Sequence, residues 1–254
     1  MMRAIQWIIA SLALFLTQSC LAAESIDIVK SEGAVTVSKS AEGKSKSVAT
    51  RSRLPVVNVL STGADGRAVV RVGSTGYLVL EKNSKVEMDA SKDHATFFRH
   101  LTGMIYYAVN TLKGKDRVLE VKVKTATIGV RGTRFLVTDM PERNAIGMRK
   151  GTVSVSSLDE KGFEIHTSTA AEGVAAMKEE AQAAMDKERA AFETYKENVQ
   201  QDFVEYKREL QLGADRMLSF DGKRADEQPL DDTTKNDLES LESYADTWIN
   251  KVKD

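Results

Sequence analysis

From Arg117 to Thr125 apolar and polar residues alternate, with Leu119, Val121 and Val123 on one face and Glu120, Lys122 and Lys124 on the other. This is the period-2 pattern of a strand with one wet side. The same alternation recurs in Ala68, Val70 and Val72, in Leu78 and Leu80, and in Val153 and Val155, each run closed by Gly, Asn, Asp or Ser. Gly63-Ala64-Asp65-Gly66 and Lys113-Gly114-Lys115-Asp116 read as hairpin turns that exploit glycine's access to positive φ. Neighbouring strands are therefore expected to be mostly antiparallel, since parallel pairs need crossovers of a dozen residues or more. Residues 24–170 are expected to form one β domain, either an antiparallel β-sandwich or a rolled, solenoid-like stack of hairpins.

The texture changes near residue 170. Thirteen of the 16 glycines lie between Gly33 and Gly162, and the chain after Gly173 is charged and nearly glycine-free. Val174, Met177, Ala181, Met185, Glu188, Phe192, Tyr195, Val199, Phe203, Tyr206 and Leu210 cover 36 positions in 10 steps. The mean of 3.6 is that of a straight α-helix, expected over 172–212 and about 60 Å long at ~1.5 Å per residue. A linker with Gly213, Gly222 and Pro229 is expected over 213–231. A second helix is expected over 232–252, capped by Asp232 or Thr233, with the stripe Leu238, Leu241, Ala245, Trp248 and Val252. This stripe is expected to fold back on the long helix as an αα-hairpin that buries Trp248. The alternative is that Phe192, Tyr195, Val199, Phe203, Tyr206, Leu210 and Trp248 form a docking stripe for another chain. The whole reads as mainly β with a helical C-terminal extension.

At the N-terminus, Arg3 leads into the apolar run Ile5–Leu16 and then into small residues ending Ala22-Ala23. Residues 1–23 read as a signal peptide cleaved after Ala22 or Ala23, because the run is short for a ~30 Å hydrocarbon core. A periplasmic location follows. Cys20, the single cysteine, lies in the cleavage region and invites a lipoprotein alternative, although Thr17 and Gln18 replace the apolar approach such signals use. Membrane attachment is expected only if Cys20 carries lipid. Otherwise the processed chain has no cysteine and no disulfide.

Composition narrows the function. Hydrophobic residues at 42% and charged residues at 29% are ordinary globular values, and a formal net charge of -1 gives no basic field for nucleic acid. His94, His100 and His166 have no metal-ligand spacing and sit in polar contexts, so they read as solvated surface histidines. No serine lies in a nucleophile elbow, and the acidic run Asp221–Asp232 lacks the ligand spacing of a calcium loop. No catalytic activity and no cofactor are expected. The basic pieces Arg51-Ser52-Arg53 and Lys113–Arg117 read as solubilising turns.

The stretch Lys124–Val137, with Ile128-Gly129-Val130-Arg131-Gly132-Thr133 at its centre, resembles the signature of FecR domains. Leu60 to Met88 follows the family's succession of turns and strands, including Asn83-Ser84. Leu101–Tyr106 is similar to its next glycine-led strand and Gly151–Val155 to its closing one, so the resemblance covers Ile26 to Ser157. Val57-Asn58 and Val72 depart from the pattern at turns. The resemblance implies an envelope-facing β domain used for contact. Its best-known members are membrane-spanning regulators that bind a sigma factor inside the cell and relay a signal from a TonB-dependent receptor. With so few residues ahead of Ile5, the sigma-binding role is not expected here.

Within the signature, Gly129 and Gly132 are expected to make a bulge or tight bend that re-aims Arg131, whose guanidinium could hold loop carbonyls or a carboxylate, while Thr133 bonds locally. On that reading Arg131→Ala mainly lowers thermal stability; the alternative is that Arg131 grips an anionic ligand group. The leading expectation is a non-catalytic periplasmic interaction or scaffold module, with an envelope protein or a second copy as partner. The alternatives are an accessory sensor in envelope signalling and a cell-wall or carbohydrate binder. The last would need Tyr77, Phe97, Phe98, Tyr106 and Tyr107 to stand exposed as aromatic platforms.

Overall fold

The structure, a computed structural model, describes residues 26–54, 57–89, 97–110, 119–167 and 205–250. The leader with Cys20, Ala22 and Ala23, and most of the expected long helix with Phe192, Tyr195, Val199 and Phe203, lie outside these residues.

The described chain is mainly β, with nineteen strands joined in one open sheet. They are β1 (Ile26–Glu32), β2 (Val35–Ser38), β3 (Lys46–Ser47), β4 (Arg53–Leu54), β5 (Val57–Thr62), β6 (Arg67–Val72), β7 (Gly76–Leu80) and β8 (Lys85–Asp89). These are followed by β9 (Phe97–Val109), β10 (Leu119–Lys122), β11 (Ala126–Val130), β12 (Arg134–Met140), β13 (Arg143–Lys150), β14 (Val153–Ser157) and β15 (Phe163–Thr167). The last are β16 (Glu205–Lys207), β17 (Glu209–Leu212), β18 (Arg216–Asp221) and β19 (Arg224–Pro229), after which α1 (Asp232–Ile249) closes the described chain.

Hydrogen bonding arranges the strands in two ladders. The first runs β4-β1-β6-β7-β9-β12-β13-β18-β19-β15-β16. The second runs β3-β2-β5-β8-β9-β10-β11-β14-β17. Both draw on β9: Phe97–Arg99 pair with β10 in the second ladder, and Gly103–Ala108 pair with β12 in the first. Side chains from both ladders fill one core, including Ile28, Leu60, Val86, Phe98, Tyr107, Phe135, Val153 and Leu218. Pairing is antiparallel except for β9–β10 and β15–β19. The β9–β10 pair is parallel because the chain leaves the second ladder along β9, passes through the first, and returns.

The passage between ladders is a bulge. Val86 faces His100 whereas Lys85 faces Thr102, so Leu101 is an extra residue and the inward parity switches from Phe98 and His100 to Ile105 and Tyr107. Gly103, at φ +91°, makes the bend. Ser84 Oγ donates to the Met104 carbonyl and accepts the Met104 N–H, both at 3.0 Å, while Thr62 Oγ1 accepts the Ser84 N–H at 2.9 Å. Thr62-Gly63, Asn83-Ser84 and Thr102-Gly103 thus meet in one row.

The long helix is expected to reach residue 212, but the described part of that stretch, from Glu205, is strand, in which Tyr206 pairs with Glu164 and Leu210 with Val155. The expected linker 213–231 is instead the hairpin β18–β19. The reason is that Leu210 and Leu212, two apart, are both buried, a spacing the helical stripe had sampled only once. The helix over the last stretch is α1, and its cap is Asp231, whose carboxylate accepts the Thr234 N–H at 2.6 Å. It docks on the outer face of the first ladder and not on another helix: Leu238, Leu241 and Ala245 are buried against Val69, Val79, Tyr106 and Leu136. Burying the two leucines is worth about 3–6 kcal/mol.

Candidate functional site

The signature residues lie where the chain crosses from one ladder to the other. Ile128 and Val130 are core residues of β11, opposite Val155 and Val153. Gly129 sits in regular register opposite Ser154 and Glu120, so the bend is not made there. Gly132, at φ +73°, makes it, and β12 starts two residues later in the first ladder. The neighbouring crossing at Gly151, φ +87°, packs on it: a Cβ on Gly151 would come 2.7 Å from Thr133 Cγ2 and 3.1 Å from the Gly132 carbonyl oxygen.

Arg131 stands exposed at this corner, and among the described residues its side chain makes no hydrogen bond or ion pair. The expected clasp of loop carbonyls is therefore not seen. Thr133 is buried with its carbonyl accepting the Val109 N–H at 2.9 Å, but its Oγ1 has no partner among the described residues, so the expected local hydroxyl bond is absent too. The arginine that a bulge does re-aim is Arg149. Arg134 faces Lys150 and Phe135 faces Met148, which leaves Arg149 as the extra residue.

Arg149 belongs to a cationic rim on the first ladder that meets the acidic face of α1. It approaches Glu239 at 3.4 Å and Glu242 at 3.6 Å, Arg143 holds Asp237 at 2.9 Å, and Arg134 pairs with Glu242. Tyr106 and Tyr77 donate from below to Glu242 and Asp246, at 3.2 and 3.3 Å. Burial, together with the Asp246 carboxylate, pushes the Tyr77 phenol up to about 12. Lys30 sits 4.2 Å from the centre of the Trp248 ring and Arg67 4.1 Å from that of Tyr244, so Trp248 ends on the sheet and not in a helical hairpin. Asp231 is held below the usual carboxylate range: burial alone would raise it, and hydrogen bonds from Thr234 with the Arg143 charge outweigh that.

The aromatic platforms a glycan binder would need are engaged. Phe98, Tyr106 and Tyr107 are buried, Tyr77 lies under α1, and the half-buried Phe97 is covered by Lys122 at 5.0 Å. His100 also departs from expectation, being 1% exposed. Its ring nitrogens lie 3.2 Å from Tyr107 Oη and 3.1 Å from the Gly103 carbonyl, at the bulge that joins the ladders. Its parity with Phe98 is the signal that could have placed it inside. No group of three or more His, Cys, Asp or Glu among the described residues could hold a metal ion.

Burial lowers the His100 imidazole from 6.5 to about 4, against the opposing pull of the Gly103 carbonyl and the Asp139 charge. Between those values the unfolded chain binds the proton and the folded one does not, so stability rises with pH across the window and is lost as pH falls through it. The expected loss from pH 7 to pH 4 is about 3 kcal/mol from this group. Urea midpoints against pH are expected to fall below pH 6.5 in the parent and to flatten in His100→Gln; parallel curves would refute the assignment.

Residues 58–154 match the family described as FecR protein, so the FecR domain read in the sequence is present over that stretch. Two crystal structures of a candidate anti-sigma factor from Parabacteroides distasonis, at 2.50 and 1.65 Å resolution, are similar with TM-scores of 0.46 and 0.45 and 10% identity. The alignments cover 71% and 70% of this chain and 63% and 62% of theirs, so the chain spans less than two thirds of those structures. No curated protein matches the sequence.

Proposed function

We propose that this chain is a contact module of cell-envelope signalling, periplasmic and non-catalytic, whose FecR domain presents the Arg131 corner to a partner protein. The family match supports a signalling-regulator type of protein. The observation that carries the reading is Arg131 itself. Gly132 accounts for the bend and Ile128 and Val130 for the packing, which leaves an exposed guanidinium in the middle of the signature with no task in the described fold. A planar fork of five donors in that position suits a carboxylate or a set of loop carbonyls on another chain. A glycan reading has less support, because the rings it would use are packed.

Arg131→Ala is expected to shift unfolding by no more than about 0.5 kcal/mol, as for a surface change outside any special contact. A photocrosslinker at position 130 would be buried and silent, and one at 131 would remove the arginine itself, so the reagent belongs at the exposed Thr152 beside the Gly132–Gly151 corner, with the partner identified from intact cells. Crosslinked partner at 152 with Arg131 in place, together with partner capture lost in Arg131→Ala at unchanged melting temperature, is the expected result. A fall of several degrees in melting temperature, or capture indifferent to the substitution, would return Arg131 to a purely structural role.

A further inference from the structure

The two ladders end side by side at β3 and β4, and that end of the stack is basic. Residues 38–54 hold Lys39, Lys44, Lys46, Arg51 and Arg53 against the single carboxylate Glu42, a local charge of +4 in a chain of net charge -1. Among the described residues Lys39, Lys44 and Lys46 are exposed and form no ion pair, whereas Arg53 is held by Asp27 at 3.0 Å. Between them opens a groove of about 660 Å³ whose apolar floor is Val37, Val48 and Leu54. Its size is within the range of ligand sites.

The backbone narrows the choice of occupant. β3 bonds only to β2, and β4 only to β1, so the outward N–H and C=O groups of both strands have no strand partner among the described residues. A lipid would use the apolar floor and the lysines and leave those backbone groups unmatched. An extended peptide uses all three, by adding its backbone to a strand edge while alternate side chains point down and out.

We propose that this end groove is a docking site for an extended acidic segment of a partner protein, with apolar residues alternating with Asp or Glu. The proposal deepens the contact reading above by giving the chemistry of a second partner segment at a place remote in sequence from Arg131. The apolar side chains would rest on Val37, Val48 and Leu54, and the carboxylates would meet Lys39, Lys44 and Lys46.

The test uses the full chain and a fluorescent ten-residue peptide of alternating Glu and Val. Its controls are a Lys/Val peptide of the same length, the Glu/Val peptide with proline at two central valines, inorganic phosphate, and phosphatidylglycerol vesicles. Expected is saturable binding of the Glu/Val peptide alone, weakened at least tenfold by Lys39→Gln, Lys44→Gln and Lys46→Gln together and by the two prolines. The three lysines are exposed and outside the core, so the variant is expected to melt as the parent does. Binding that tolerates the prolines as well as the parent peptide would reduce the groove to a charged patch and overturn the proposal. Vesicle binding that depends on the lysines, without peptide binding, would overturn it in favour of a lipid surface. Because Arg131 is untouched, failure here together with Arg131-dependent capture would sink the groove and leave the contact reading standing.

Discussion

Replacing Gly103 with alanine is expected to cost about 4 kcal/mol, near the whole stability of a marginal domain. The residue sits at φ +91°, where an L side chain is strained, and a Cβ there would lie 2.5 Å from Ser84 Cα and 2.7 Å from the Asn83 carbonyl oxygen. Those are backbone atoms, so no rotamer can make room. Strain of ~1–3 kcal/mol adds to an overpacking cost of ~1–3 kcal/mol. The carbonyl that holds His100 and the Ser84–Met104 bonds are also displaced. Gly213→Ala is the control, because that position has nothing within 4 Å of a Cβ and is expected to change stability by less than about 1 kcal/mol. Urea unfolding of the two variants side by side decides the matter, and equal midpoints would remove the turn row from its place at the centre of the fold.

Gly147→Val is expected to unseat α1 at a cost of about 3 kcal/mol. Gly147 lies on β13 directly beneath the helix: a Cβ would collide with Thr234 Cγ2 and come 3.2 Å from Leu230 Cδ1. Thr234 cannot swing away freely, since it is buried, its N–H is held by Asp231 and its hydroxyl by Arg143. Hydrogen exchange is expected to lose protection along 234–249 while strands of the second ladder keep theirs. The smaller Gly147→Ala should be rescued in part by Thr234→Ser, which lacks the colliding methyl. Absence of any rescue would mean that the helix is held off by something other than this contact.

The same helix explains which parts of the fold could be read from the chain. Strands with one covered face, such as β10, alternate cleanly and were legible. Under α1 both faces are buried, so Val69-Val70, Leu78-Val79-Leu80 and Phe135-Leu136-Val137 run together, and the alternate residues named from the sequence were only the inward half. The second half of each run was the sign that a further layer covers this sheet. β19 was not legible because Ala225 is its only buried residue. Its place is set by backbone pairing to β18 and β15, which leaves no apolar trace. The apparent helix into 205–212 failed for the opposite reason, since Tyr206 and Leu210 satisfy a spacing of four and only Leu212, buried two residues after Leu210, carries the period of a strand. At the signature corner, glycine foretold a bend but not which glycine, because Gly129 and Gly132 differ only in the backbone angles they adopt.

One strand with a foot in each ladder also limits how the protein can be taken apart. Severing the chain between Phe98 and Ile105 would leave each fragment holding half of two unfinished edges, with Phe98 and Tyr107, whose rings lie 6.1 Å apart, on separate pieces. Neither fragment is then a smaller version of the whole. A split-protein reporter cut there should fail to reassemble, whereas one cut in the exposed 39–45 loop, which parts only β1 and β2 from the rest and leaves each with a formed strand edge to rejoin, should regain its signal on mixing.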